Sequence, residues 1–191
     1  MLFRSKMSKG KLFVISGASG VGKGTVLASV MSKRQDLAFS VSATTRAPRP
    51  NEIEGVHYYF VTPEKFKEMV DNNEFLEYDM HMDRAYGTPI AQLEDKLTRG
   101  HVILDVEPVG AFNIRKQRPD ATLIFIAPPS KEELERRLRG RGDTTEEQIT
   151  MRLARADWEM EQLSAYDHVV INDQVETCAD KILNIIAEKD E

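Results

Sequence analysis

The stretch "GASGVGKGT", residues 17–25, directly follows the apolar run "LFVIS" at residues 12–16. Four residues separate Gly17 from Gly22 and Lys23 comes next, which gives the spacing Gly-x-x-x-x-Gly-Lys. Between a strand and a helix, this spacing is typical of a loop whose backbone N–H groups converge on phosphate oxygens, with the lysine as a point charge. The stretch therefore predicts a phosphate-binding loop after the first strand of a parallel sheet.

The residue after Lys23 departs from the simple motif. A hydroxyl is expected there as a ligand of Mg²⁺, whereas this chain has Gly24, with Thr25 one position later. Because Mg²⁺ gives up its water molecules reluctantly, we expect nucleotide phosphates and water to hold it, with Thr25 as the candidate protein ligand. The candidate nucleotide-binding residues of the loop are Gly17, Ala18, Ser19, Gly20, Val21, Gly22, Lys23, Gly24 and Thr25.

Composition and charge narrow the class of protein. The chain has 191 residues, 41% of them hydrophobic and 30% charged, and a net charge of −5; these values fit one globular domain and disfavour a protein that coats nucleic acid. No apolar run could span a bilayer, and the basic start "MLFRSKMSKGK" lacks the apolar segment of a signal peptide. Cys178, the single cysteine, is expected in the core. We expect a cytoplasmic protein with small-molecule substrates and neither nucleic-acid nor membrane partners; monomer and homo-oligomer both remain open.

Further apolar runs alternate with helical patterns along the chain, and this alternation favours a parallel α/β sheet with helices on both faces. The runs are "VILDV" (102–106), "TLIFIA" (122–127) and "HVVIN" (168–172). Capping signals predict helix starts at Thr88 with Pro89, at Ser130 with Glu133, and at Thr144 with Glu147.

Two regions interrupt the alternation. Residues 38–88 contain the segments "FSVSATT" and "VHYYFV", which predict small antiparallel strands, and a helix near residues 64–72. Residues 130–152 are rich in arginine and contain few core residues. We interpret the first as an inserted α+β substrate subdomain and the second as a helical lid. The predicted organisation is a flexible tail at 1–10 and one domain at 11–191, with its core at 11–37, 89–129 and 153–191.

The inserted region contains side chains suited to an anionic substrate. Arg46 and Arg49 lie three residues apart, and Tyr58 follows; two guanidiniums and a phenol fit a phosphate dianion, since arginine binds phosphate oxygens in a bidentate fork. The further polar candidates are Ser42, Glu77, Tyr86 and Thr88, with Asp105 at the carboxyl end of a strand, where ligands of open α/β sheets bind.

Some of these candidates have structural alternatives. Thr88 could serve only as a helix cap. Tyr58 and Tyr59 alternate along a strand, so one of them is expected in the core. Asp105 and Glu107 point the same way and could instead orient Mg²⁺ through water.

Taken in order, the motifs resemble those of the bacterial type of guanylate kinase. They are "SGASGVGKGT", "FSVSATTRAPRPNEIEGVHYYFV", "NNEFLEY", "YGTP", "LDVE", "IFIAPPS", "RRLRGRG" and "VVIND", and they cover residues 11–187. The resemblance implies a P-loop NTPase-like parallel sheet core, an inserted α+β GMP-binding subdomain and a helical lid. It also implies the reaction ATP + GMP → ADP + GDP with Mg²⁺, in purine nucleotide metabolism and GMP recycling, with dGMP as a further acceptor.

The resemblance assigns the acceptor residues. The GMP phosphate would be bound by Arg46, Arg49, Tyr58 and Tyr86. The guanine would be bound by Glu77, which accepts from N1–H and the 2-amino group, together with Ser42, Gly87, Thr88 and Asp105. Adenine would place a bare ring nitrogen against that carboxylate, and an unpaired buried partner costs about 1–3 kcal/mol. Considered alone, Glu77 could also be a solvated carboxylate.

The resemblance also assigns the donor side, where the loop would bind ATP. The catalytic residues would be Lys23, Arg137, Arg141 and Arg152, which contact the ATP phosphates or the transferring group. Arg141 and Asn172 would lie near the adenine. The alternative for the arginine-rich segment is a solvated or nucleic-acid-binding helix, which the acidic net charge disfavours.

Two other functions share parts of this pattern. Guanylate-kinase-like domains of scaffolding proteins bind phosphopeptides without catalysis, but the intact loop ending in Lys23 favours a kinase. Another small-molecule kinase, such as a ribose-bisphosphate kinase or a different nucleoside monophosphate kinase, would use the same donor loop. Glu77 together with Arg46, Arg49 and Tyr58 favours GMP as the acceptor.

Overall fold

The computed structural model of the protein describes residues 10–81, 84–140 and 145–190. Arg141 and all of the predicted tail except Gly10 lie outside these ranges. The strands are β1 (Leu12–Gly17), β2 (Ala38–Phe39), β3 (Ser42–Thr44), β4 (Tyr58–Phe60), β5 (Phe75–His81), β6 (Arg84–Pro89), β7 (Val102–Asp105), β8 (Thr122–Ala127) and β9 (His168–Ile171). The helices are α1 (Lys23–Lys33), α2 (Pro63–Asp71), α3 (Ile90–Leu97), α4 (Pro108–Gln117), α5 (Lys131–Arg139), α6 (Glu146–Glu161) and α7 (Val175–Ala187).

The chain divides into two compact units, each built from separate segments. The loop unit, named for the glycine-rich loop, consists of Phe13–Gln35, Asp105–Phe112 and Thr122–Glu191. The small-sheet unit consists of the described residues within Met1–Leu12, Asp36–Leu104 and Asn113–Ala121.

The loop unit contains a parallel sheet. β1 pairs with β8, with Val14 opposite Leu123, and β8 pairs with β9, with Ile126 opposite Val170. Every residue of β1 and β8 is buried, as expected for parallel strands covered on both faces. Helices flank this sheet; α1 packs against α7 and buries three apolar side chains, Val26, Leu27 and Val30. The predicted α/β fold with a parallel sheet is confirmed.

The small-sheet unit contains a four-stranded sheet in the order β4-β3-β6-β5, and a parallel pair of β2 with β7. The prediction of antiparallel pairing between "FSVSATT" and "VHYYFV" is wrong, because β3 and β4 pair in parallel. The reason is the long connection at residues 45–57, which returns the chain to the end of the sheet where β3 begins. An antiparallel pair could instead be joined by a tight hairpin. The antiparallel partner of β3 is β6, which also pairs with β5.

One face of this sheet packs on α2 and forms a separate apolar core. Its buried residues are Ala43, Phe66, Met69, Phe75 and Ala85, with Tyr59 packed against them. Alternation along β4 turns Tyr58 to the opposite face, where its ring centroid lies 6.0 Å from that of Tyr86. Of the two adjacent tyrosines, Tyr59 is thus the one that packs against this core, and it is half-buried.

Gly87 allows β6 to pack tightly on this core. A Cβ atom at Gly87 would lie 2.8 Å from Cδ1 of Phe75, and this ring packs on Phe66 with centroids 4.6 Å apart. We expect Gly87→Ala to lower the free energy of unfolding by about 1–3 kcal/mol, the usual cost of overpacking, as measured by denaturant titration. Gly24→Ala is the control, because a Cβ there meets no atom within 4 Å. Equal stability of the two variants would refute this packing account.

Two predicted helix starts need correction. Thr88 does not cap α3; it still belongs to β6, and Pro89 is the N-cap residue of the helix. The capping box of α6 joins Thr145 to Gln148 instead of Thr144 to Glu147, because two overlapping motifs occur in "TTEEQ" and the helix follows the second. Thr144 lies outside the described residues. At α5 the Ser130 hydroxyl accepts from the Glu133 N–H at 3.1 Å, as predicted.

The structure bears on two further expectations, the burial of the cysteine and the membrane-spanning potential of the helices. Cys178 is fully buried, as predicted, and burial raises the pKa of its thiol to about 11. Among the helices of the described ranges, none has both the length and the apolar character needed to cross a membrane.

Candidate functional site: a phosphate loop and an arginine–tyrosine cluster

The glycine-rich loop lines an open pocket of about 660 Å³ in the loop unit. Gly20 and Gly22 have φ angles of 86° and 91°, in the left-handed region where glycine is strongly favoured. Gly22 is the N-cap residue of α1, so the first N–H groups of this helix have no intrahelical partner and carry its positive potential. All loop residues from Gly17 to Thr25 line the pocket, together with Glu107, Met151, Arg152 and Arg155. The pocket is thus suited to a phosphorylated ligand.

Hydrogen bonds from several elements hold the loop in shape. The Ala18 N–H donates to Ile126 O at 3.2 Å, and the Val21 N–H donates to Ala18 O at 3.0 Å. The Asn172 side-chain amide is buried and donates to Val21 O at 2.8 Å. Asn172 therefore supports the loop; its predicted contact with adenine remains a prediction.

Lys23 and Asp105 form an ion pair at the pocket, and the Lys23 ammonium also donates to Val106 O at 3.5 Å. Both side chains keep part of their surface exposed, 20% for Lys23 and 31% for Asp105. The pair fixes the position of the lysine ammonium in the loop unit. The structure thus places Asp105 beside the lysine, while its predicted contact with guanine remains a prediction.

The predicted arginines differ in their surroundings. Arg152 lines the pocket, and Arg141 lies outside the described residues. The Arg137 guanidinium donates to Asn172 O at 2.9 Å and to Val21 O at 3.4 Å. Its Nε donates to Glu133, whose pKa is lowered to about 2 by hydrogen bonds from Arg136 and from Arg137. Arg137 therefore braces the backbone of the loop, and its predicted contact with ATP phosphates remains a prediction.

Sequence reasoning missed Glu159 and Arg155. Glu159 is fully buried and accepts from the Ser19 N–H at 2.9 Å. Arg155 donates to Glu159 at 3.0 Å and also pairs with Glu107. Burial raises the pKa of Glu159, although the hydrogen bonds from Ser19 and Arg155 oppose this. The available signal was a carboxylate three residues after Ala156, on the side of α6 where Ile149 and Ala156 are also buried.

In the small-sheet unit, Arg46 forms the centre of the predicted acceptor cluster. Its guanidinium donates to both carboxylate oxygens of Glu52 at 2.9 Å and lies 5.3 Å from the centroid of the Tyr58 ring. Glu52 also accepts from the Arg49 N–H at 2.7 Å. Hydrogen bonds from Arg46, and then from this N–H, lower the pKa of Glu52 to about 2. Glu52 was missed by sequence reasoning because an acidic residue in a proline-rich turn is usually solvated.

Tyr86 completes the cluster on the same face of the sheet. Burial raises the pKa of the Tyr86 phenol, but hydrogen bonds with Arg46 and Arg84 outweigh it, so the net pKa lies below its ordinary value. Tyr58, Tyr86 and Arg46 are thus brought together as predicted. A guanidinium with two phenols on one face is a suitable arrangement for a phosphate group.

Glu77 lies on β5 and contacts Thr88, which follows Tyr86 by two residues on β6. The Thr88 hydroxyl, fully buried, donates to the Glu77 carboxylate at 2.6 Å. Burial raises the pKa of Glu77, and the Thr88 hydrogen bond only partly offsets this. Ser42 alternates with Thr44 along β3, and Thr44 stands opposite Tyr86, which puts Ser42 on the face of the predicted base pocket. A partly desolvated carboxylate here can accept hydrogen bonds from a ligand with adjacent N–H groups.

Several known proteins similar to this chain are described as guanylate kinases. A family model described as guanylate kinase matches residues 9–189. The guanylate kinase of Thermus thermophilus is 46% identical over 182 residues, which cover 95% of this chain and 81% of that relative. The guanylate kinase of Trichodesmium erythraeum is 46% identical over 181 residues, with 93% and 97% coverage. Among solved structures, the guanylate kinase from Anaplasma phagocytophilum superposes with a TM-score of 0.74 at 35% identity, covering 95% of this chain and 87% of its own.

Proposed function

The chain belongs to the guanylate kinase family, whose reaction is the ATP-dependent phosphorylation of GMP, and we propose that the two sites described above bind these two nucleotides. The observation that carries the proposal is the presence, in one chain, of a lysine-bearing phosphate loop and a Glu77 carboxylate beside an arginine–tyrosine cluster. Such a pair of sites fits a donor with a polyphosphate and an acceptor with a phosphate and a guanine edge.

On the donor side, the loop N–H groups bind the β- and γ-phosphates of ATP. Lys23 exchanges part of its interaction with Asp105 for the phosphate oxygens and stabilises the charge on the transferring group. Arg152 lines the same pocket and adds positive charge there, as do Arg137 and Arg141 from residues 130–152, which we propose as the lid. Asn172 and Arg141 lie near the adenine.

On the acceptor side, Arg46, Arg49, Tyr58 and Tyr86 bind the GMP phosphate. Glu77 accepts from guanine N1–H and the 2-amino group. Ser42, Gly87 and Thr88, within the proposed subdomain of residues 38–88, complete the base pocket together with Asp105. None of these contacts requires the 2′-hydroxyl of the ribose, so we propose dGMP as a further acceptor.

The chemical step needs no general base, because the attacking group is the already ionised GMP phosphate. Phosphoryl transfer depends mainly on in-line positioning and on neutralising the charge that builds up on the phosphoryl oxygens. Water is a competing acceptor, so we propose that closure of the lid excludes it during transfer.

Mg²⁺ fits this donor site as a cofactor bound chiefly to the nucleotide. Within residues 10–81, 84–140 and 145–190, no group of three or more acidic, histidine or cysteine side chains is placed to hold a metal. The pocket instead offers the Thr25 hydroxyl and the Glu107 carboxylate, which suits an ion that keeps most of its water molecules. When bound, Mg²⁺ neutralises charge on the phosphates.

Gly24→Ser tests this account of the metal. No atom lies within 4 Å of a Cβ at position 24, so a serine fits and restores the hydroxyl next to Lys23. We expect the Mg²⁺ concentration for half-maximal ATP binding to fall by roughly twofold to tenfold, the effect of one additional hydrogen-bonding ligand. Gly24→Ala is the matched control without the hydroxyl, and an equal Mg²⁺ requirement for both variants would contradict the assignment.

We also propose a cytoplasmic protein, which the single buried cysteine supports. The intact loop with the Lys23–Asp105 pair favours the kinase over a phosphopeptide-binding module. Separation of the products by ion-exchange chromatography tests the proposal. Incubation with ATP and GMP should yield equal amounts of ADP and GDP, whereas unchanged nucleotides would overturn it.

A further inference from the structure

Glu159 is a buried charged residue for which the proposed chemistry has no direct use. It lies near the end of α6 with no exposed surface, on the side where Ile149 and Ala156 are also buried. A carboxylate in such a place loses its hydration, and apolar residues of similar volume are often equal or better for stability. Packing alone therefore does not explain why a carboxylate is buried at this position. Its two hydrogen-bond partners explain it.

The first partner belongs to the phosphate loop. The Ser19 N–H donates to Glu159 Oε2 at 2.9 Å, which directs this peptide away from the pocket and towards α6. The neighbouring Ala18 and Val21 N–H groups are bonded to Ile126 O and Ala18 O. Of these three N–H groups, that of Ser19 is the one that donates to a side chain. Its acceptor is charged, which makes the bond stronger than a neutral hydrogen bond.

The second partner forms another wall of the same pocket. Arg155 Nε donates to Glu159 Oε1 at 3.0 Å, while another nitrogen of this guanidinium pairs with Glu107. Both Arg155 and Glu107 line the pocket. The two oxygens of one carboxylate therefore hold the loop on one side and an arginine of the pocket wall on the other.

We propose that Glu159 is a positioning residue of the donor site: Oε2 fixes the Ser19 peptide, and Oε1 holds Arg155 at the pocket wall. The inference rests on the proposed binding of ATP to this loop. Glu159 touches no substrate; it reduces the reorganisation that the loop must undergo when the phosphates bind.

Three variants of α6 test the proposal. Glu159→Ala removes both contacts, and we expect the dissociation constant for Mg·ATP to rise roughly tenfold to hundredfold, as for loss of a hydrogen bond to a charged group. Glu159→Gln keeps an acceptor oxygen for the Ser19 N–H but turns an amide N–H towards the Arg155 donor, so its dissociation constant should rise by less than that of Glu159→Ala. Glu161→Ala, an exposed acidic residue on the same helix, is the matched control and should bind as wild type. In steady-state assays the Glu159→Ala effect should appear in KM for ATP, with KM for GMP unchanged.

Equal ATP affinity of Glu159→Ala and Glu161→Ala would overturn the proposal, and so would equal losses in Glu159→Ala and Glu159→Gln. If Glu159→Ala does not fold, hydrogen exchange in the wild-type protein tests the contact instead. The Ser19 amide should exchange slowly without nucleotide, and fast exchange would refute the contact. Direct ATP binding does not depend on the acceptor. A chain whose ATP affinity depends on Glu159 but which leaves GMP unchanged would thus contradict only the proposed function.

Discussion

Lys23→Ala should lose roughly a hundredfold to a thousandfold in kcat for GDP formation, the usual effect of removing one preorganised charge-stabilising group. Lys23 is the last residue of the phosphate loop motif and is held at the pocket by Asp105. Its ammonium acts on charge that is greatest in the transition state, so the effect should fall mainly on kcat and less on KM for GMP. A coupled assay of ADP release at saturating ATP and GMP measures it.

The fold should survive this substitution. Both partners of the Lys23–Asp105 pair are partly exposed, and such pairs contribute little to stability. Lys33→Ala is the matched control on the same helix, since Lys33 pairs with Asp180 on α7, and its kcat should equal that of wild type. A Lys23→Ala enzyme with near-normal kcat would show that the loop does not serve phosphoryl transfer.

Glu77→Gln should lower kcat/KM for GMP roughly tenfold to hundredfold, because one charged acceptor facing two guanine donors is replaced by a group that is itself a donor on one side. The Thr88 hydroxyl holds the native carboxylate at 2.6 Å, and the amide oxygen can still accept from it, so the fold should persist. Initial rates at varied GMP measure the effect, and Glu64→Gln, on the exposed side of α2, is the control. Unchanged kcat/KM would remove Glu77 from the base pocket.

The same carboxylate predicts a pH dependence. Burial raises the pKa of Glu77 above its ordinary value of 4.5, and only the ionised form accepts both guanine hydrogen bonds. As pH falls towards the raised pKa, the protonated fraction grows and KM for GMP should increase in the wild type. Glu77→Gln, which has no proton to gain, should show a flatter profile over the same range, and parallel profiles would contradict the assignment.

The parallel sheet and the phosphate loop could be predicted because they depend on local patterns. Apolar runs bounded by turns specify buried strands, and the glycine spacing that ends at Lys23 is confined to seven consecutive residues, 17–23. The parallel pairing of β3 with β4 could not be predicted in this way. It depends on how residues 45–57 return across the sheet, which the alternation of side chains within each strand does not record.

The sequence did not predict the residues that position the phosphate loop and the arginine–tyrosine cluster through hydrogen bonds. Glu159 and Ser19 are far apart in sequence, and a carboxylate on a helix is usually solvated, so neither residue indicates the other. The sequence likewise does not indicate the role of Glu52, because its ion pair with Arg46 depends on the fold of the turn between them. Thr88 precedes Pro89, and this pair is typical of a helix start. The strand continues through Pro89, however, and the Thr88 hydroxyl donates to Glu77. Residues that touch a ligand follow recognisable chemistry, whereas those that position them depend on tertiary contacts.

A single comparison of acceptors tests the central claim most directly. ADP release should be measured with Mg·ATP and each of GMP, dGMP, AMP, CMP and UMP at equal concentration. The Glu77 carboxylate and the arginine–tyrosine cluster predict rapid release with GMP, release with dGMP, and at least about tenfold slower release with AMP, since the unpaired carboxylate costs about 1–3 kcal/mol. Equal rates with GMP and AMP, or release that requires no acceptor, would contradict the account.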